Sequence, residues 1–480
     1  MKGSSDLLRS LNLRPISFVV LLAFFTGITV GLSGNGAQAL TISEERELGE
    51  KLLSIVRAEF DLLDEPDLTQ YITRIGREIL KETGSSYFDY HFFVVKDKEI
   101  NAFAAPSGLI FFNAGLIEAM SNENELVSVM AHEAGHIVSR HYADRLKKST
   151  KTSIATAALI LAGIAMGGGA VSEALITGAM ATNATLSLKF SRADEEEADR
   201  LAYRWMKAQG RDPADMVDML RTLRKINLYR SANIPPYLLT HPEPHTRMGY
   251  VQDLLLYSKN GEYRAIDEFE FKRFQYRILS QSKDPQTLIP LFKKNIAAAD
   301  AEHQAAVMEY YGLALALQAA ADYDAAEKAL QTVIDHYPEE SILKTDLGVI
   351  FFESGRYSEA LKIFNQAWAM DRNCNYTTYY LGRTLEQTGS LDRAIELYGE
   401  LQAQQPDYAD LYYRLGKIWA AKGNKGVGYY YLGVNHWYQG DAQSAKWNLN
   451  QALSELEADD PFHAKAQAML AKIERLESIR

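Results

Sequence analysis

Ala131-His132-Glu133-Ala134-Gly135-His136 is embedded in the run Leu126–Val138, whose apolar residues recur at helical spacing. On a helix, the four-residue offset puts His132 and His136 one turn apart on one face, where both imidazoles can hold one metal ion. Glu133 lies one step round the helix, beside that ion, placed to deprotonate a zinc-bound water. The pattern points to a zinc peptidase and leaves a third protein ligand to be found.

Glu195-Glu196-Glu197-Ala198-Asp199 supplies the candidate. A metzincin arrangement would need Gly and His after the second ligand, where this chain has Ser139 and Tyr142. His141, five residues past His136, points off the ligand face and reads as an ordinary helix-end histidine. Glu195 is the expected third ligand. Asp199, one turn on, would orient one of the histidines from behind. Glu196 and Glu197 read as solvated.

HExxH, a long spacer, ExxAD and then Thr240-His241-Pro242 with Arg247 resemble the gluzincin family of the CAAX prenyl endopeptidases, HtpX and the mitochondrial inner-membrane stress protease. Within it, the pattern is most similar to the periplasmic β-barrel assembly-enhancing proteases, which join such a domain to C-terminal tetratricopeptide repeats. The resemblance implies one zinc per chain. It implies that His241 approaches the metal, either stabilising the tetrahedral intermediate or capping the metal at rest, and that Arg247 holds this loop or an acidic partner. It also implies that the segment Asn101, Ala102, Phe103, Ala104 is an edge receiving extended substrate through backbone pairing. The implied substrates are misassembled or unfolded outer-membrane or envelope proteins, and the implied partner of the repeats is the β-barrel assembly machinery.

Lys2, Arg9 and Arg14, the apolar run Ile16–Val30 and Gly36-Ala37-Gln38-Ala39 spell a secretory signal cleaved after about Ala39, hence a periplasmic location. The formal net charge of the 480-residue chain is −11, and loss of that segment makes the remainder more acidic still. Such a chain has no electrostatic attraction to nucleic acid or to an anionic membrane. Cys374 is the single cysteine, so no intramolecular disulfide forms.

Ser43–Leu53, with Ser43 as cap, and Asp67–Lys81 read as helices, whereas Phe92–Val95 and Gly108–Asn113 read as strands separated by residues 101–106. Ile154–Ala181 is apolar but broken at Gly167-Gly168-Gly169, and each half is too short to span a bilayer. It reads as a packed helical hairpin, with peripheral membrane contact as an alternative for its apolar side. Pro235-Pro236 and residues 240–245 read as a rigid loop where helix is impossible, and His245 as surface.

A 34-residue period follows, with units starting at 307, 341 and 375. Small residues (Ala314, Gly348, Gly382) let the helices of a pair approach, and Leu330, Phe364 and Tyr398 fill the space between pairs. The pattern slips after 409, so 409–425 reads as an extra single helix or half unit, with Pro461–Ile479 as a polar cap. The repeat tyrosines divide between a concave partner-binding face and inter-helix packing.

The expected architecture is mainly α with a small β-sheet: signal peptide 1–39, zincin-like metalloprotease domain 40–265, helical linker 266–306, and an α-solenoid of tetratricopeptide repeats over 307–480. The expected function is a periplasmic zinc endopeptidase whose repeats dock substrate or an assembly machine. A chaperone or scaffold with a mostly silent protease site is the competing reading.

Overall fold

A computed structural model describes residues 41–479 apart from 85–86, 149–156, 159–160, 164–188, 230–233, 258–261, 267 and 299–303. The signal segment and most of the apolar stretch 154–181 thus lie outside the described residues. None of the described helices is long and apolar enough to cross a membrane.

Thr41, rather than Ser43, caps α1 (Ile42–Glu59): its hydroxyl accepts the Glu44 N–H, and the Glu44 carboxylate accepts the Thr41 N–H. Pro66 opens α2 (Pro66–Glu82) at a position where its missing N–H costs nothing. The buried stripe Leu68, Ile72, Ile75, Ile79 of α2 lies against the sheet, with Gly76 admitting the Phe92 ring. That sheet has three strands, β1 (His91–Val95), β2 (Ala102–Ala105) and β3 (Leu109–Asn113), in the order β1-β3-β2. The central β3 is buried along its whole length, parallel to β1 and antiparallel to β2.

β2 lies in the segment between the two strands read from periodicity, where the family resemblance alone implies an edge strand. Ala-Phe-Ala-Ala has neither alternation nor strong strand preference, and only pairing with β3 makes it a strand.

After α3 (Ala114–Ala119), α4 (Glu123–Val138) begins at the Asn122 cap and runs through the core, buried from Glu123 to Ile137. The short α5 (His141–Lys148) turns back at Arg140, which holds φ +52°. α6 (Arg192–Ala208) starts with a Ser191/Asp194 capping box and crosses α4 where Gly135 meets Ala198; a Cβ on Gly135 would lie 3.1 Å from Ala198 Cα. α7 (Ala214–Tyr229), α8 (Pro236–Thr240) and α9 (Pro244–Leu256) close the domain. The loop reading of 235–245 is corrected here. Pro236 and Pro244 each stand in the first turn of a helix, where proline is tolerated, so they start helices instead of forbidding them.

The region 266–306 is helical, but it is no free connector. In α10 (Glu268–Ser282), Phe271, Phe274 and Ile278 join the peptidase core, while Phe269, Tyr276 and Leu279 join the first core of the repeats. α11 (Pro285–Ala298) leads into the pairs α12 (Gln304–Ala319)/α13 (Tyr323–His336), α14 (Ser341–Glu353)/α15 (Tyr357–Met370) and α16 (Asn375–Gln387)/α17 (Leu391–Gln404). Phe364 and Tyr398 do not fill gaps between pairs; each ring lies over Gly348 or Gly382 of its own pair.

Residues 409–421 form one helix, followed by the pair that starts at 425. α18 (Ala409–Ala421) packs on α19 (Lys425–Tyr438), which also packs on α20 (Ala442–Glu455). Glycines at 416, 428 and 433 let α19 approach both neighbours closely. α21 (Pro461–Ser478) is the terminal helix.

The solenoid curls back onto the peptidase domain. Gly440 presses on Ala58, Arg57 pairs with Asp407, and Lys51 donates to the Leu476 carbonyl at 2.8 Å. Tyr376, Tyr379, Tyr412 and Tyr431 are buried packing residues, Tyr380, Tyr429 and Tyr430 are half-buried, and Tyr413 is exposed.

Candidate metal centre

α4 and α6 bring His132, His136 and Glu195 together, and the end of α8 adds His241; all four are buried, with one donor atom from each within 4.8 Å of the others. His132 Nε2 lies 3.1 Å from His136 Nε2 and 3.3 Å from His241 Nδ1, and Glu195 Oε1 lies 3.5 Å from His136 Nε2 and 2.9 Å from His241 Nδ1. Four tetrahedral ligands at about 2.0–2.1 Å from zinc would stand about 3.3 Å apart, so these spacings fit that ion.

The protons point the same way. His132 Nδ1 is 2.7 Å from Asp199 Oδ1, which commits its proton to the carboxylate and leaves a lone pair on Nε2 facing the other donors. Nitrogen and carboxylate donors in a buried cluster match zinc chemistry.

Asp199 is itself held from several sides. It also takes two hydrogen bonds from Arg247, at 2.9 and 2.8 Å, and one from the Tyr250 hydroxyl at 2.6 Å. Burial alone would raise its pKa, but Arg247 and His132 outweigh burial and hold it well below the carboxylate range. Glu195 follows the same logic: against burial, His241 and then Arg247, whose Nη1 is 3.0 Å from Oε2, keep it ionised.

Glu133 has the opposite environment. It is fully buried, and burial pushes its pKa up against the pull of His241 and His132. One oxygen accepts the Ala104 N–H at 2.8 Å, while Oε1 has no hydrogen-bond partner and lies 3.5 Å from His241 Nε2.

The Ala104 contact also shows how β2 faces the site. Asn101 bonds inward to β3, accepting the Asn113 N–H, so by alternation Phe103 pairs inward while Ala102 and Ala104 present backbone outward. Of the four substrate-strand residues, Ala102 and Ala104 therefore carry the free edge. Part of that edge is covered: Ala104 N–H serves Glu133, and the Ile100 carbonyl accepts the Tyr237 N–H at 3.3 Å.

Four residues at the site escaped the sequence reading. Tyr237 stacks on His241 with ring centroids 4.5 Å apart, and Phe190 stacks on His136 at 3.8 Å while its N–H donates to the Thr240 carbonyl. Tyr250 stands three residues after Arg247 on α9, a helical offset that could have flagged it; nothing local marks Phe190. His141 is no ordinary helix-end residue, because its Nδ1 is 2.8 Å from His136 Nδ1. His245 is exposed, as expected; Glu197 is exposed and Glu196 partly so.

A metal helix carrying HExxH, crossed by a second helix carrying ExxAD beside a small sheet, defines a zincin-type metallopeptidase domain. Residues 66–254 match Peptidase family M48. Residues 311–373 and 351–418 match tetratricopeptide-repeat families. The chain is similar to the Beta-barrel assembly-enhancing protease of Escherichia coli (strain K12), 29% identical over 308 residues, 63% of this chain and 62% of that relative. It thus spans less than two thirds of that relative's length. It is also similar to the Mitochondrial metalloendopeptidase OMA1 of Schizosaccharomyces pombe, 32% identical over 149 residues (30% of this chain, 41% of the relative). Metalloprotease LoiP of Escherichia coli (strain K12) is 27% identical over 184 residues, 38% of this chain and 68% of the relative.

Proposed function

We propose that this chain is a zinc-dependent endopeptidase of the periplasm, with His132, His136 and Glu195 as metal ligands and a resting site shut by His241. The observation that carries the proposal is the convergence of four buried donors within 4.8 Å of one another, the fourth of them, His241, just past the end of α8. Zinc, when bound, supplies a Lewis acid that polarises a peptide carbonyl and acidifies water. Glu133 would take a proton from that water and return it to the departing amine. Asp199 and Arg247 hold His132 in the tautomer and orientation the metal requires. An extended substrate segment would pair with the outward backbone of Ala102 and the Ala104 carbonyl once the Tyr237–His241 segment withdraws.

By analogy with the β-barrel assembly-enhancing relative, the substrates are misassembled outer-membrane or envelope proteins, delivered by the repeats or by an assembly machine docked on them. The second reading, an assembly chaperone with a mostly silent protease, draws support from the same His241, since a filled ligand set has no place for substrate.

Zinc content and casein cleavage across three proteins separate these readings. Wild type should bind one zinc, Glu133→Gln should retain zinc and lose cleavage, and His241→Ala should cleave faster than wild type. Cleavage by Glu133→Gln at the wild-type rate would refute the mechanism. A His241→Ala protein that keeps zinc but gains no activity would favour the chaperone.

A further inference from the structure

We propose that His141 is a positioning residue of the metal site, fixing the tautomer of His136 from behind with Glu197 as its own support. The inference rests on the reading of His132, His136 and Glu195 as zinc ligands.

His136 Nε2 faces the other donors, so its second nitrogen must carry the ring proton and needs an acceptor. The only hydrogen bond from that nitrogen among the described residues goes to His141 Nδ1, at 2.8 Å between rings set 67° apart. If His141 accepts there, its own proton sits on Nε2. That atom faces two carboxylates, Glu197 Oε2 at 3.5 Å and Asp194 Oδ1 at 4.0 Å. Glu197 is itself held by the Ser139 hydroxyl, which donates to its other oxygen at 2.9 Å. The chain from ligand to imidazole to carboxylate is consistent in every proton.

The backbone is built for this contact. Five residues along a continuous helix would carry His141 away from the His136 face. Instead α4 ends at Val138, Arg140 takes a left-handed φ of +52°, and α5 starts with His141 folded back onto the last turn. Arg140 is tied to the buried Glu45 through its Nε at 2.9 Å, which anchors the turn to α1. His141 is 6% exposed.

The two metal histidines are thus oriented by different chemistry. His132 has a buried carboxylate clamped by Arg247 and Tyr250; His136 has a neutral imidazole backed by an exposed glutamate. His141 also differs from a structural filler, because what it supplies is an acceptor atom rather than volume.

The test is zinc affinity of the full-length chain, measured by competition with a chromophoric chelator, for wild type, His141→Phe and His141→Gln. Thermal unfolding of the metal-free proteins is recorded alongside. Phe keeps the volume and removes the acceptor; Gln retains a carbonyl that can accept the His136 proton. Phe should weaken zinc binding by about 10–100-fold, and Gln should recover most of that loss, with the metal-free proteins melting alike. Zinc affinity of His141→Phe within twofold of wild type would overturn the proposal. Equal weakening by Phe and Gln, with both metal-free variants melting lower, would overturn it in favour of a packing role. A wild-type chain that takes up no zinc would overturn the ligand reading itself, an outcome distinct from either.

Discussion

Arg277→Met should detach the repeats from the peptidase domain at a cost that depends on pH. Arg277 sits on the shared helix α10, buried, with Nη1 2.9 Å from Asp346 of the repeats and Nε 2.7 Å from Asp67 of α2; it also donates to Glu65. Its guanidinium lies 4.3 Å above the Tyr376 ring. Arg273, one turn earlier, contacts the same Asp67 at 2.8 Å and Asp346 at 3.3 Å. Three carboxylates therefore face two guanidiniums. Removing Arg277 leaves three buried or half-buried carboxylates around one cation, and breaking a buried pair in this way costs about 3–5 kcal/mol.

The deficit can be relieved only by protonating a carboxylate. In the variant, the folded-state pKa of Glu65, already raised by burial in the wild type, moves further up. A raised carboxyl pKa contributes stability that is present below its unfolded value and lost as pH rises through the folded value. The penalty should therefore be largest near pH 8 and shrink toward pH 5. Urea unfolding of the full chain at both pH values measures it, and the double variant with Asp346→Asn should recover about 1–3 kcal/mol. A loss below about 1 kcal/mol at pH 8, or the same loss at both pH values, would refute the reasoning.

Ala321 takes φ +60° in the turn where the next repeats have Gly355 and Gly389, so Ala321→Gly should stabilise the chain by about 0.5–1 kcal/mol, seen as a rise in Tm. Burial, with Asp407 nearby, pushes the half-buried Asp64 up to about 6 against the pull of Arg57. Its ionisation costs stability as pH rises through that value, so Asp64→Asn should gain about 1–2 kcal/mol over wild type between pH 4 and 7.5. A difference between the two proteins that does not change with pH would contradict this. Truncation after residue 265 removes Phe271, Phe274 and Ile278 from the peptidase core, so the remaining domain should bind hydrophobic dye and unfold without a cooperative transition. A cooperative melt of that fragment would restore α10 to the status of a linker.

The metal motifs were legible in the chain because their meaning is local. A four-residue offset on one helix puts His132 and His136 on one face whatever surrounds them, and the same holds for Glu195 and Asp199. The 34-residue period was equally legible, since each repeat touches mainly its neighbours. What adjoins across the fold was not. β2 exists only through pairing with β3, and which of its residues face the site follows from the register. Phe190, Tyr237 and His141 reach the site with no periodic signature; His141 in particular depends on one left-handed residue, Arg140. The two-faced α10 reads as part of a helical linker, because hydrophobicity alone does not say that two separate cores claim its two sides. Local spacing determines which groups can act together on one element; only packing between elements decides which of them meet.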